Sequence, residues 1–114
     1  MTSSVLDTTK KVLGVDPSVT EFDTDLIVHI NSIFATLHQM GVNPTGAVHS
    51  ISDKTDTWED YIREFDQIAF VQTYMYAKVR LLFDPPQTSF AIESLTKVCE
   101  EYEYRMNLLQ HIFV

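Results

Sequence analysis

The chain of 114 residues has one cysteine, three glycines and four prolines. A single cysteine excludes an internal disulfide and any zinc site built from several thiolates. Few glycines, with every proline outside the long periodic segments, argue against a turn-rich β architecture and for helices. Positive charge is also scarce. Lys and Arg number 8 against 16 Asp and Glu, a formal charge of -8. That excludes a basic footprint for wrapping nucleic acid. The longest apolar runs are three or four residues, far short of the roughly 20 needed to span a bilayer. Nothing in the first residues, MTSSVLD, supplies a basic n-region followed by an apolar h-region, so no signal peptide is expected. The chain reads as cytosolic and soluble.

Motifs for chemistry are missing too. There is no glycine-rich phosphate loop and no serine nucleophile elbow. His29 and His38 do not stand at the i,i+4 spacing that stacks two ligands on one helix face, and neither His49 nor His111 completes a metal pattern. The acidic run Asp53, Asp56, Glu59, Asp60, Glu64 and Asp66 lacks the ligand spacing and central glycine of a calcium loop. It reads as a solvated face. Cys99 is followed by Glu100 and Glu101, the opposite of the electropositive setting that activates a thiol, and is expected to be a small buried hydrophobe. No catalytic residue, metal or cofactor is expected.

What is present is ordinary for a globular domain: 45% hydrophobic and 21% charged residues, enough for one core in one domain, residues 1–114. Apolar spacing predicts the helices. The first runs from about Ser4 to Leu13, with Ser4 and Asp7 as a capping-box variant, Val5, Leu6, Thr9, Val12 and Leu13 on one face, Lys10 and Lys11 in the last turn, and Gly14 as its stop. The second, about Thr24 to Met40, is capped by Asp23, carries Leu26, Ile30, Ile33, Phe34, Leu37 and Met40, and stops at Gly41. The stretch from Val42 to Asp56 is long for a loop in so small a domain, which marks it as mobile or interactive; extended pairing around Val48 to Ile51 is weakly signalled. Thr57 with Asp60 opens a short helix bearing Trp58. Gln67 to Phe83 is apolar on two stripes, Ile68, Val71, Met75, Val79 and Leu82 on one, Phe70, Tyr74, Ala77 and Leu81 on the other. A helix of that kind is central or covered by a second subunit. Asp84, Pro85 and Pro86 end it, because proline disfavours helix in the residue before it. The last helix, about Ser89 to Leu108, buries Ile92, Leu95, Val98, Cys99, Tyr102, Met106 and Leu109. On its outer side Glu93 with Lys97 and Glu101 with Arg105 are i,i+4 pairs. The final residues are apolar and hint at docking. The expected fold is therefore all-α: a compact bundle of about four to five helices, one long loop at about 42–56, and an apolar C-terminal tail.

From Tyr74 to Pro86, YMYAKVRLLFDPP, the sequence resembles the small head–tail connector, or adaptor, proteins of tailed bacteriophages and prophages. Lys78 to Pro86 is the most specific piece. Phe22-Asp23 leading into Leu26 to Ser32, Leu37 to Val42, Thr57-Trp58, Ser89-Phe90 and Glu103 to Asn107 add to it, so the likeness runs from about residue 4 to 107. Residues 108–114 match no such pattern; members of that family often end in a more charged tail. The resemblance implies an all-α fold and no enzymatic activity. It implies a ring of identical subunits, twelvefold in the virion, assembled in the host cytoplasm and seated on the portal protein. The ring extends the DNA channel and gives stopper or tail proteins a docking surface. Genomic DNA passes without specific binding, and no membrane is involved.

Several residues carry two readings. Trp58 is either core or a subunit contact, since Trp is enriched in hot spots. Lys78 and Arg80, inside an apolar helix, pair with carboxylates of their own chain or of a neighbour. Asp84, Pro85 and Pro86 make a rigid corner or a contact surface. Ile112, Phe113 and Val114 are expected to dock on the portal. The acidity either lines a DNA conduit or serves solubility alone. The rival to the connector reading is a cytosolic helical regulator that binds a partner protein through an apolar groove, with no virion role.

Overall fold

Ser4 opens the first helix as its spacing predicts: its hydroxyl accepts from the Asp7 N–H at 3.1 Å. In the computed structural model, which describes residues 4–42, 48–61 and 65–113 and at 65–68 and 108–113 the backbone alone, this helix is α1, Val5–Val12. Gly14 follows in the left-handed region at φ 81°, where a Cβ would be strained. The chain then crosses to α2, Asp23–Gln39, which buries Leu26, Ile30, Ile33, Phe34 and Leu37. Gly41, at φ 86°, ends it. The short α3 is Trp58–Tyr61, opened by the reciprocal capping bonds predicted for Thr57 and Asp60, each 3.2 Å. α4 spans Phe65–Phe83 and α5 spans Ser89–Phe113. All five elements among the described residues are α-helices.

Packing follows the two-striped pattern of α4. One side meets α2 and the other meets α5, while α1 lies against α2. Val71, Tyr74, Met75, Ala77 and Val79 are all buried between these layers. Tyr76 turns its ring onto Trp58, edge to face at 6.2 Å. The core is a single cluster centred on Leu26, Ile30, Phe34, Trp58, Tyr74 and Met75.

Several expectations are corrected. Val48 to Ile51 form no strand; the isolated bridge among the described residues joins Ser4 to Thr57. These residues are instead strapped across α2 by one side chain: Asn31 accepts from the Ile51 N–H at 2.7 Å and donates to the Ile51 carbonyl at 3.0 Å. An amide that satisfies both backbone groups of one residue replaces a neighbouring strand. Within the long loop the described part is therefore tied down, and residues 43–47 lie outside the described residues. So do residues 62–64, between α3 and α4. Val12 and Leu82 are not core: they are 50% and 52% exposed. The residues expected as an apolar tail continue α5 as helix to Phe113.

Asp23 does not cap α2. The cap position is Phe22, with no side-chain bond, and Asp23 is the first helical residue. Its carboxylate is taken by Lys10, at 2.7 Å. Lys10 stands in the last turn of α1, as expected; its burial is what the spacing did not announce. The residue is 1% exposed, and its ammonium also donates to the carbonyls of Pro17 and Val19. Three acceptors match the three N–H groups of an ammonium, which is what allows a charge at this depth. Above it, α1, the connection 15–22, the start of α2 and the turn at 52–54 enclose an open cleft of about 430 Å³.

Candidate interaction surface at the helix corner

The most specific sequence string ends at the turn between α4 and α5. Asp84 leaves the helix because Pro85 follows it. Its N–H still donates to the Arg80 carbonyl at 3.1 Å, and the Arg80 Nε–H donates back to the Asp84 carbonyl at 2.9 Å. Arg80 thus closes the C-terminus of α4 with a cation where the helix dipole favours one. Across the turn, the Thr88 hydroxyl accepts from the Ala91 N–H at 3.1 Å and caps α5. The corner is held from both sides by its own chain.

Large apolar side chains stand outside this corner. Leu82 in the last turn of α4, and Phe90 and Ile92 in the first turn of α5, are 52%, 80% and 38% exposed. Phe83 points the other way. It meets Phe22 edge to face at 5.6 Å and His29 at 6.4 Å. Single exposed hydrophobes are normal; here three stand within one turn of the same helix corner. Ile92 was expected to face the core. It lies at the start of α5, where the helix has just left the turn and Leu95 is the first side chain to pack against the core cluster.

Behind the corner, α4 and α5 are stitched together by polar groups in an apolar seam. Glu103 accepts from the Tyr74 hydroxyl at 2.8 Å and pairs with Lys78 at 3.3 Å. Phe70 and Tyr102 stack at 4.7 Å, and Arg105 lies over the Tyr102 ring at 5.8 Å. Lys78 therefore finds its carboxylate within its own chain, as Arg80 finds a carbonyl. Trp58 is fully buried, and its indole N–H donates to the Thr8 hydroxyl at 2.9 Å; its whole side chain is spent inside the monomer. Asp84 and Pro85 are exposed and Pro86 is half-buried. The side chains of Ile112 and Phe113, and Val114 altogether, lie outside the described residues. Both i,i+4 pairs of α5 form, Lys97–Glu93 at 3.6 Å and Arg105–Glu101 at 2.8 Å. Being exposed, they contribute little.

The titratable groups carry structural rather than reactive signatures. Burial pushes the Cys99 thiol up, away from thiolate chemistry. Hydrogen bonds from the Ser18 and Thr55 side chains hold Asp16 and Asp53 below the ordinary carboxylate range. Burial raises Tyr74, with the Glu103 contact adding to it, and pushes Tyr61 up to about 12. A phenol whose native pKa lies above its unfolded value near 10 contributes stability below that value, and the contribution is lost as pH rises toward the native one. Alkaline unfolding is therefore expected to begin above pH 10 and to run through about pH 12, the Tyr61 value. Helical circular dichroism recorded beside phenolate absorbance checks this. The two must change together; phenolate formation at ordinary pH with helices intact would refute the burial argument.

Among the described residues, no group of three His, Cys, Asp or Glu side chains is placed to hold a metal ion. No helix among them is long and apolar enough to cross a membrane. What the corner holds is a turn closed by its own hydrogen bonds, exposed apolar side chains, and cations already occupied within the chain.

The comparison with known families agrees with the string that ends in this corner. The family model described as phage connector protein matches residues 5–111, and the chain belongs to that family. Neither a curated protein nor a solved structure matches the chain.

Sequence reasoning missed two residues that organise the fold, Lys10 and Asn31. Both had a signal. Lys10 stands four residues after Leu6 and three before Leu13, on the face that turns inward. Asn31 stands four after Ile27 and three before Phe34, at the margin of the α2 stripe. Periodicity places such residues toward the core. Residue type argued the other way.

Proposed function

We propose that this protein is a ring-forming adaptor of the head–tail connector, a structural component of the virion without an enzymatic step. In this reading identical subunits, twelvefold in the virion, assemble in the host cytoplasm and dock on the portal protein. They extend the DNA channel and present the attachment surface for stopper or tail proteins. The observation that carries it beyond the family is the corner itself, where Leu82, Phe90 and Ile92 stay exposed beside a turn held rigid by its own hydrogen bonds. Apolar side chains on a rigid support suit a protein contact, because little ordering entropy is lost on binding. The formal charge of -8 supports a channel wall that repels phosphate and lets DNA slide past. Asp84, Pro85 and Pro86 belong to the contact corner. Ile112 and Phe113, at the end of the long α5, together with Val114, are the segment that docks on the portal.

Electron microscopy of the purified protein, with and without its portal, tests the reading. Rings alone or on the portal are expected. Removing residues 109–114 is expected to abolish portal binding and keep the helical circular dichroism. A chain that stays monomeric and ignores the portal would overturn the adaptor role. Phe90→Asp provides the local test. At 80% exposure the side chain contributes little to the fold, so thermal stability is expected to hold while association weakens by roughly tenfold or more, the loss of one contact residue. Unchanged association would remove the corner from the interface.

A further inference from the structure

The strap at 48–51 is pinned at two points, and only one of them is chemically inert. Ile51 is 3% exposed, with its backbone held by the Asn31 amide. The second point is His49. Its ring sits edge-on to Phe34 of α2 at 4.9 Å and against Tyr61 of α3 at 5.1 Å. Its Nε2 is buried and has no hydrogen-bond partner among the described residues. A neutral imidazole tolerates that position, because one of its ring nitrogens carries no N–H that must find an acceptor. An imidazolium does not. Protonation makes Nε2 a charged N–H at a buried position with no acceptor, and a charged donor buried without an acceptor is among the costlier defects in a core.

From these contacts we propose that His49 makes the 48–51 strap an acid-releasable cover over the aromatic cluster of α2 and α3. On release the imidazolium regains water, and Phe34 and Tyr61 lose their lid. The groups facing the ring are Phe34 from α2, with His38 one turn beyond it, and Tyr61 from α3. Among the described residues the charges acting on His49 are Asp56, before α3, and Asp60, within it. Both favour the charged form. Burial opposes them and is the larger effect, holding His49 below its ordinary value of 6.5. With the native value depressed, the closed strap is fully favoured above pH 6.5. Its advantage falls as pH drops toward the native value. This inference is independent of the adaptor reading; it concerns a local opening within one chain.

Hydrogen exchange of the full chain between pH 7.5 and 5 tests it, each rate corrected for the intrinsic pH dependence of exchange. The Ile51 amide reports the strap, and amides in the middle of α4 report the rest of the core. The Ile51 protection factor is expected to fall by up to about tenfold per pH unit below 6.5, with α4 protection unchanged. In His49→Phe, which keeps an aromatic plug and removes the titration, the Ile51 profile is expected to be flat. Titration of the His49 ring by nuclear magnetic resonance needs no variant and guards against a misfolded one. A midpoint at or above the ordinary histidine value, or a flat Ile51 profile in the parent chain, would overturn the proposal. So would an Ile51 profile in a folded His49→Phe that still bends with pH.

Discussion

Lys10→Met is expected to cost about 3–5 kcal/mol of folding stability, toward the lower figure because the partner carboxylate keeps some water. Lys10 is 1% exposed and Asp23 27%. Methionine fills the space of the lysine stem but supplies no donor, so the carboxylate of Asp23 and the carbonyls of Pro17 and Val19 all lose their partner at once. Breaking a buried pair by removing one side is worse than never having had it, since the desolvation of the survivor is no longer offset. The loss should be large against the roughly 5–15 kcal/mol that stabilises a whole domain. Urea unfolding followed by circular dichroism measures it. Lys10→Met with Asp23→Leu should recover part of the loss, because the orphaned carboxylate goes with the cation. A cost for Lys10→Met below about 1 kcal/mol, the usual range of a surface pair, would mean that the ammonium does not hold the 15–22 connection in solution.

Trp58→Ala is expected to cost a similar amount, about 3–5 kcal/mol, by leaving a cavity in the core. Trp58 is fully buried, with ring contacts to Phe34 at 5.9 Å and Tyr76 at 6.2 Å. Its indole N–H ties α3 to α1 through the Thr8 hydroxyl. Trp58→Phe keeps most of the volume and should cost less than half as much. The two variants also separate the readings of this residue. If its place is the monomer core, both losses appear in thermal unfolding of the isolated chain, and Trp58→Phe assembles normally once folded. A Trp58→Phe chain with parental stability and defective association would put Trp58 in a subunit contact instead.

These two side chains show where sequence reading reached its end. Trp58 was weighed as core, and its capping box, Thr57 with Asp60, formed as spaced. Helix starts and stops were legible because they depend on neighbours three or four residues away: Ser4 with Asp7, the left-handed glycines at 14 and 41, and the break at Pro85 and Pro86. The family was legible in Lys78 to Pro86, and residues 5–111 match its model. Lys10 stands in the last turn of α1 as expected, but its burial was not legible, because it depends on acceptors seven to thirteen residues further along, brought to it by a turn. No local rule prices a lysine by the carbonyls it will find. The strap gave only a weak signal of extended pairing, because its partner is a side-chain amide on α2, twenty residues away. The exposed corner was hidden for a related reason. Leu82 and Ile92 fit apolar patterns in their helices, and only the packing of those helices leaves them outside, beside Phe90.

The sequence by itself determined the class of fold, a bundle of about four to five helices, several of their caps and stops, and the family, because caps, stops and a distinctive string are local properties of the chain. Tertiary structure alone decided which apolar residues went inside, which lysine was buried, and what His49 rests against. Those outcomes depend on contacts between segments distant in sequence, where the free energy of a side chain is set by the groups that surround it rather than by its own kind.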